Sequence, residues 1–298
     1  MTDRDLSAAP RHLTILMPVF NDWESAAMLI GDIGTEMTGA GYVIDIVAVD
    51  DCSTEPPPEK LPAGPGIERV ECIRLAANVG HQRAIAVGLM AISERKDLDL
   101  VAVMDSDGED RPAELRGLAQ RAGSDPAQAF VAQRSQRSEG LLFRMFYWVY
   151  VRLFRFLTGQ RINFGNFTVL QAAQIRRVIN NQHIWNNFPA AIIQARIPVA
   201  YVPTRRGTRY AGQSRMNFIG LVAHGLGAIS VFSEAVFIRI LIVSAVLLVL
   251  SLGLVTGTLI VRFTTDLGVP NWATTVLGFA LVISVQALMM PVLMAFML

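Results

Sequence analysis

The chain has 298 residues, of which 52% are hydrophobic and only 17% charged, against about 25% charged in ordinary soluble domains. This excludes a disordered or acidic-tail protein. Lys and Arg total 26 against 25 Asp and Glu, so the net charge is +1, no global field selects nucleic acid, and any electrostatic function is local.

Taken in chain order, His12–Val19, Val43–Val49, Arg69–Leu75, Leu98–Met104 and Ala129–Gln133 read as strands. Trp23–Thr38, His81–Ser93 and Pro112–Arg121 read as intervening helices, the last opening on a proline suited to a first turn. The alternation predicts an α/β domain with a mainly parallel, Rossmann-like sheet. The segment Glu55–Gly66, with five prolines and two glycines, predicts a surface loop. Cys52 and Cys72 are too few for a disulfide framework and are expected as reduced, core or near-core residues. The N-terminus carries Asp3, Arg4 and Asp5 and lacks an apolar stretch, so no secretory signal is expected.

Leu141–Leu157 is rich in aromatic and aliphatic residues. On a helical wheel Arg144 and Arg155 fall about 20° apart, and Arg152 about 80° from Arg144, forming one basic stripe. Met216–Ala235 is mostly apolar and bears His224 and Glu234. Both segments suit interfacial helices lying on a bilayer, and the first equally suits packing on the domain core. Two uncharged runs follow, Ile240–Val261 of 22 residues and Leu267–Leu298 of 32, each long enough to cross roughly 30 Å of hydrocarbon. The expected organisation is a cytosolic domain over 1–215, a juxtamembrane amphipathic helix over 216–235, and a two-helix transmembrane hairpin over 236–298. Arg205, Arg206, Arg209, Arg215 and Arg239 precede the first span, whereas the connection holds Arg262 against Asp266, which predicts a cytoplasmic large domain. Gly253 and Gly257 permit helix association, hence a homo-oligomer.

In parallel sheets ligands bind outside the carboxyl ends of the strands. Three strands end there in polar turns: Pro18-Val19-Phe20-Asn21-Asp22, Asp50-Asp51-Cys52-Ser53-Thr54, and Asp105-Ser106-Asp107-Gly108-Glu109-Asp110. Asp and Asn commonly cap helices and end strands, which is the plainer reading of any one turn. Crowding this many carboxylates together is unfavourable without a cation or hydrogen-bond donors, however. Asp105 and Asp107 point to one side of an extended segment, a spacing suited to Mg²⁺ or Mn²⁺, which take oxygen ligands alongside substrate phosphates.

In order and spacing these residues resemble the family 2 glycosyltransferases of GT-A fold, and within them the polyprenyl-phosphate glycosyltransferases related to dolichol-phosphate mannose synthase. Pro18 to Asp22 resembles the family's Pro-x-(Tyr/Phe)-Asn-Glu turn, and Asp50 to Thr54 its Asp-Asp-x-Ser-x turn. Asn78-Val79-Gly80-His81-Gln82-Arg83-Ala84 is similar to its Asn-x-Gly-x-x-x-Ala helix start, and Asp105-Ser106-Asp107 to its metal-binding Asp-x-Asp. Arg134 and Arg137 resemble the basic pair after the fifth strand, and Arg205 through Arg209 to Ser214-Arg215 the Arg-rich, Gly-x-Ser-Lys approach to the membrane. Two departures stand out. Gly165-Asn166-Phe167-Thr168 replaces Gly-Asp-Phe-Arg, and Arg215 replaces Lys. The Gln-x-x-Arg-Trp signature of processive polysaccharide synthases is absent, which argues against a chain polymerase.

The resemblance implies an inverting, metal-dependent transferase of one sugar from a UDP- or GDP-linked donor to a polyprenyl phosphate. Pro18, Phe20, Asn21, Asp22, Asp50, Asp51, Asn78, Arg83, Asp105 and Ser106 would line the donor, with Asp50 on the base. Asp105 and Asp107 would hold Mg²⁺ or Mn²⁺. Arg134 and Arg137 would clamp phosphate, while Arg205, Arg209, Ser214 and Arg215 would either hold the acceptor phosphate or attract anionic headgroups. A hydroxyl acceptor needs a general base, whereas a phosphate monoester with a second pKa of about 6 is already nucleophilic at neutral pH. The phosphate acceptor therefore tolerates Asn166, with Asp110 left to orient it. Two alternatives remain at this stage: a lipid or glycan hydroxyl acceptor, and a non-catalytic nucleotide-sugar-binding subunit.

Overall fold

The computed structural model describes residues 10–59, 61–134, 141–212, 218–265 and 271–295. Seven strands form one sheet: β1 (Arg11–Val19), β2 (Tyr42–Asp50), β3 (Ile67–Arg74), β4 (Leu100–Val103), β5 (Ala129–Arg134), β6 (Thr168–Gln171) and β7 (Val199–Thr204). Their order is β3-β2-β1-β4-β6-β5-β7. All pairings are parallel except those of β6, which runs antiparallel to both β4 and β5. The strand order reverses between β1 and β4, and a switch point of this kind opens a crevice at the carboxyl ends.

Side-chain alternation along the strands builds two cores. Leu13, Ile15, Met17 and Val19 of β1, with Ile44, Ile46 and Ala48 of β2, pack against α1 (Trp23–Met37) and α3 (Pro112–Ser124). Leu16, Val47 and Val49 face the opposite side, against α2 (His81–Ser93), α5 (Ala172–Ile179) and α6 (Phe188–Gln194). The central strands are covered on both faces, which is why their sequences read as continuous apolar runs. A 3-10 turn, Gln182–Trp185, links α5 to α6. Among the described residues Glu55–Gly66 contains neither helix nor strand.

Cys72 corrects one expectation. It is exposed rather than near the core, because β3 is an edge strand with one flank unpaired. Cys52 is half-buried, with φ 59°, and Asn21 after β1 also has a left-handed φ of 52°.

The chain divides into two compact units, Met1–Met145 with Ile162–Val231, and Phe146–Arg161 with Phe232–Leu298. The first holds the sheet and α7 (Phe218–Ser230); α4 (Leu141–Thr158) runs from the first into the second. The second also contains α8 (Ser233–Thr264) and α9 (Trp272–Ala295), both long and apolar enough to cross a membrane. Most of their surface is open, including Val249 at 67% and Phe279 at 67% exposure, so water would be a poor solvent for it. The faces turned inward are small and mildly polar. Ser244, Ser251 and Thr258 recur every seven residues on α8, and Ala280 and Ala287 do so on α9. A sevenfold repeat keeps one seam facing the partner helix, and small residues let the backbones approach. Ser251 Oγ donates to the Ala280 carbonyl at 2.7 Å and lies 2.9 Å from Ser284 Oγ.

Within this second unit Trp148, Val149, Leu153 and Phe156 form one exposed stripe on α4, while Phe154 packs edge-on to Phe232. Arg152 lies over the Trp148 ring at 4.0 Å. Arg239 of α8 donates to the Arg155 and Phe156 carbonyls, placing a guanidinium on the negative end of the α4 dipole.

Two glycines of α1 give opposite predictions. A Cβ on Gly34 would lie 2.8 Å from the Gly64 and Pro65 backbone, whereas one on Gly31 meets nothing within 4 Å. Gly31→Ala should stabilise by ~0.5–1 kcal/mol through lost unfolded-state entropy. Gly34→Ala should destabilise by ~1–3 kcal/mol by displacing that loop, the pair being read by thermal unfolding.

Candidate active site at the carboxyl edge of the sheet

The three polar turns do meet at one edge, and their side chains hold the loops to each other. Asn21 accepts through Oδ1 from the Thr54 and Glu55 amides at 2.7 and 3.2 Å, and its own amide donates to Ser53 Oγ at 2.9 Å. It ties the exit of β1 to that of β2. Asp50 is fully buried; Oδ1 accepts from the Ser53 amide at 2.8 Å, and Oδ2 lies 3.3 Å from Arg74 Nε. Asp51 accepts the Val79 and Gly80 amides, one on each oxygen, at 2.7 and 2.9 Å. Gly80, at φ 91°, occupies a backbone region that side chains avoid, so the turn into α2 depends on it.

In the turn after β4 the carboxylates are likewise engaged. Asp110 is buried and accepts the Asp105 amide through Oδ2 at 3.0 Å, and Asp107 Oδ1 accepts the Glu109 amide at 2.9 Å. Asp105 Oδ1 is 3.1 Å from His81 Nε2 and accepts from Asn166 Nδ2 at 3.1 Å. Asn166 is the hub of this corner. Its Nδ2 is also 2.9 Å from His81 Nε2, its Oδ1 accepts from Gln82 Nε2 at 3.0 Å, and Gln82 Oε1 accepts the Phe188 amide at 2.7 Å. Partial desolvation would lower the His81 pKa, but Asp105, backed by Asp107 and Asp110, holds it raised, so the imidazolium is favoured. Burial, reinforced by Asp105, raises Asp107. His224 on α7 is lowered, first by desolvation and then by the charge of His81.

The segment leaving β7 is strapped across the same turn. The Gly207 amide donates to the Glu109 carbonyl at 2.8 Å, and the Tyr210 amide to that of Asp107 at 3.0 Å. Tyr210 lays its ring on Gly108, where a Cβ would sit 2.3 Å from the ring. Its hydroxyl donates to Asp32, and desolvation with that bond pushes its pKa up to about 12. Arg206 pairs with Glu109. Arg209 bridges Asp22 and Asp107, the latter at 3.2 Å, and thereby joins the β1 and β4 turns through one guanidinium.

Of the other residues predicted for this site, Pro18 lies one residue before the end of β1, opposite Val49, Phe20 is 39% exposed, Ser106 is buried, and Asn78 and Arg83 are exposed beside the Gly80 turn. The Arg205 amide donates to Glu114 at 3.3 Å. Arg134 closes β5, whereas Arg137, Ser214 and Arg215 lie outside the described residues. Sequence reasoning did not single out His81 as a site residue or see Asn166 as its partner. Their pairing joins positions 85 apart, and no local pattern announces it.

Asp105 and Asp107 fit a hard cation: two carboxylates on one turn, with burial and mutual repulsion raising Asp107, form an anionic surplus that a divalent ion relieves. A doubly wound sheet with such a turn at its switch point has the α/β architecture of the GT-A type. The chain belongs to glycosyl transferase family 2, whose profile matches residues 14–185, more than half of its length. A dodecaprenyl-phosphate galacturonate synthase of Rhizobium johnstonii is 22% identical over 70% of this chain, and an undecaprenyl-phosphate 4-deoxy-4-formamido-L-arabinose transferase of Klebsiella pneumoniae 24% over 71%. The succinoglycan biosynthesis protein ExoO of Rhizobium meliloti is 33% identical over 45%. The matched regions span 62%, 64% and 36% of those three proteins respectively. Among solved structures, glucosyl-3-phosphoglycerate synthase from Mycobacterium tuberculosis shares the fold with a TM-score of 0.52 at 13% identity, covering 76% of this chain and 80% of that one. Mannosyl-3-phosphoglycerate synthase from Rubrobacter xylanophilus gives 0.50 at 14%, covering 75% and 73%.

Because the Asp51 side chain accepts two backbone amides, Asp51→Asn should cost about 2 kcal/mol. Chemical denaturation of the purified chain measures the loss, and donor titration should show weaker binding as the Gly80 turn loosens.

Proposed function

We propose that the protein moves one sugar, with inversion, from a UDP- or GDP-linked donor to a polyprenyl phosphate at the cytoplasmic face of a membrane. The observation that carries this is the meeting of the Asp22, Asp50 and Asp105–Asp107 turns with Arg209 at one sheet edge, in a family 2 chain that also has two exposed apolar helices. Two relatives carry polyprenyl-phosphate acceptors in their names, which supports the acceptor class. The arginines preceding α8 outnumber those between the helices, which supports a cytoplasmic catalytic unit. The exposed stripe of α4, with Arg152 beside Trp148, suits a headgroup-level position, so the domain organisation proposed is catalytic unit, interfacial helices and membrane hairpin.

The residue roles follow from the bonds each side chain already makes. Asn21 and Asp51 are positioning residues that hold the donor turns, and Asp50, buried at the end of β2, is the residue assigned to the nucleobase side of the donor. Asp105 and Asp107 are the residues to hold Mg²⁺ or Mn²⁺, which when bound would neutralise charge on the departing nucleoside diphosphate. Arg209 stands against Asp107 and is placed to share that task. Attack by an acceptor phosphate oxygen on the anomeric carbon, opposite the departing diphosphate oxygen, forms one C–O bond as the other breaks. The acceptor brings no proton that must leave, and this suits a site where Asp110 is committed to the Asp105 amide and the family's other carboxylate is Asn166.

Asp107→Asn should lower transfer at least about 100-fold. The assay is radiolabelled transfer from a panel of UDP- and GDP-sugars to undecaprenyl phosphate in detergent, with Mn²⁺ or Mg²⁺ and an EDTA control. Full activity in the variant, or in EDTA, would overturn the metal assignment, and the absence of organic-extractable product from every donor would overturn the acceptor class.

A further inference from the structure

At the end of the sheet opposite the motif turns, the fold gathers a second group of metal-ligating side chains. His12 is the second residue of β1, Asp45 stands opposite Thr14 in the β1–β2 register, and Asp97 precedes β4, whose Leu100 pairs with Leu13. One ligand atom from each of these three residues lies within 4.8 Å of the other two. Asp45 is 4% exposed and its Oδ1 has no hydrogen-bond partner; His12 Nδ1 is likewise buried and unpartnered, 4.0 Å from Asp97 Oδ2. Burying such atoms without a partner is destabilising, because the water they lose is not replaced. Two orphaned ligand atoms facing a third ligand therefore ask for a common partner.

The surrounding charge points the same way. Arg95 pairs with the other oxygen of Asp45 at 3.3 Å and with Glu71 at 2.6 Å, and Arg69 pairs with Glu71. Asp99 accepts the His12 amide at 2.9 Å, and Glu68 and Asp97 both press negative charge on Asp45. Burial raises the Asp45 pKa, with Arg69 and Arg95 opposing the rise and Glu68 and Asp97 adding to it.

We propose that His12, Asp45 and Asp97 bind a divalent transition-metal ion of the zinc class. An imidazole nitrogen with two carboxylates favours such an ion over Mg²⁺, which takes oxygen ligands. Zinc bonds of about 2.0–2.2 Å set tetrahedral ligands roughly 3.4 Å apart, so the side chains close only slightly to coordinate it. Asp97 is half-exposed and gives the ion a way in and a position for water. This site is distinct from the Asp105–Asp107 turn. The 13 residues of α2, about 20 Å long, run from His81 at the active edge towards Arg95 at the opposite one. The ion therefore takes no part in sugar transfer and instead ties the entries of β1, β2 and β4 together. His12 lies just ahead of the segment that matches the family profile, and Asp45 and Asp97 lie within it.

The test is zinc titration of the chelator-treated full chain in detergent, with excess Mg²⁺ and in an Asp107→Asn background that silences the active-edge turn. The expected result is one equivalent of zinc, a raised unfolding temperature, and a cobalt-substituted absorption spectrum characteristic of nitrogen and oxygen ligation. Asp97→Asn and His12→Gln should each weaken binding at least about 10-fold and remove the thermal shift. Asp97 is half-exposed, so its variant remains informative if His12→Gln fails to fold. Zinc binding unchanged in Asp97→Asn, or no zinc bound against Mg²⁺, would overturn the proposal.

Discussion

Parallel strands deliver their loops to one edge, and here the loops are acidic. The geometry that makes a nucleotide crevice also forces like charges together, and much of the local structure is the answer to that repulsion. Asp51 is neutralised by two amides of the Gly80 turn, Asp110 by the Asp105 amide, and Asp107 by the Glu109 amide and Arg209. Each bond that relieves a charge also fixes a loop, so electrostatic satisfaction and preorganisation are one constraint.

Asn166 shows how finely the remaining charge is balanced. A carboxylate at this position would face Asp105 across 3.1 Å, whereas the amide gives one hydrogen to Asp105 and lies beside His81. His81 lies 3.1 Å from Asp105, which holds the imidazole pKa raised. The departure from the family pattern is therefore compensated locally, and it leaves a corner suited to a nucleophile that carries no proton to remove.

Arg209 sets the second balance. It reaches Asp107 from a residue 102 positions downstream, beyond the end of the matched family segment. The strap that carries it is held by the Gly207 and Tyr210 amides, by Tyr210 on Gly108, and by Arg206 on Glu109. A flexible loop bearing an arginine would be only a diffuse charge. Tied down in this way, the guanidinium has a defined place between two turns. The apolar helix pair follows the same logic with weaker forces, since α8 and α9 meet through Ser251, Ala280 and a sevenfold repeat of small residues rather than through bulky apolar ones.

The sequence by itself determined the layered α/β domain, the three polar turns and the two apolar helices. All of these depend on local pattern and on residues near in the chain: the continuous apolar run of β1, Pro112 opening α3, and uncharged runs of membrane length. It also pointed to Asp105 and Asp107, because a strand end is a local feature. Only the tertiary structure decided what the side chains are bonded to. Asn21 and Asp51 bind loops together, His81 meets Asn166, Arg209 joins Asp22 to Asp107, and Cys72 is exposed at an edge. The amino-end group of His12, Asp45 and Asp97 was hidden for the same reason. Its members sit on separate strands whose adjacency is set by sheet order, a long-range property that no window of sequence contains.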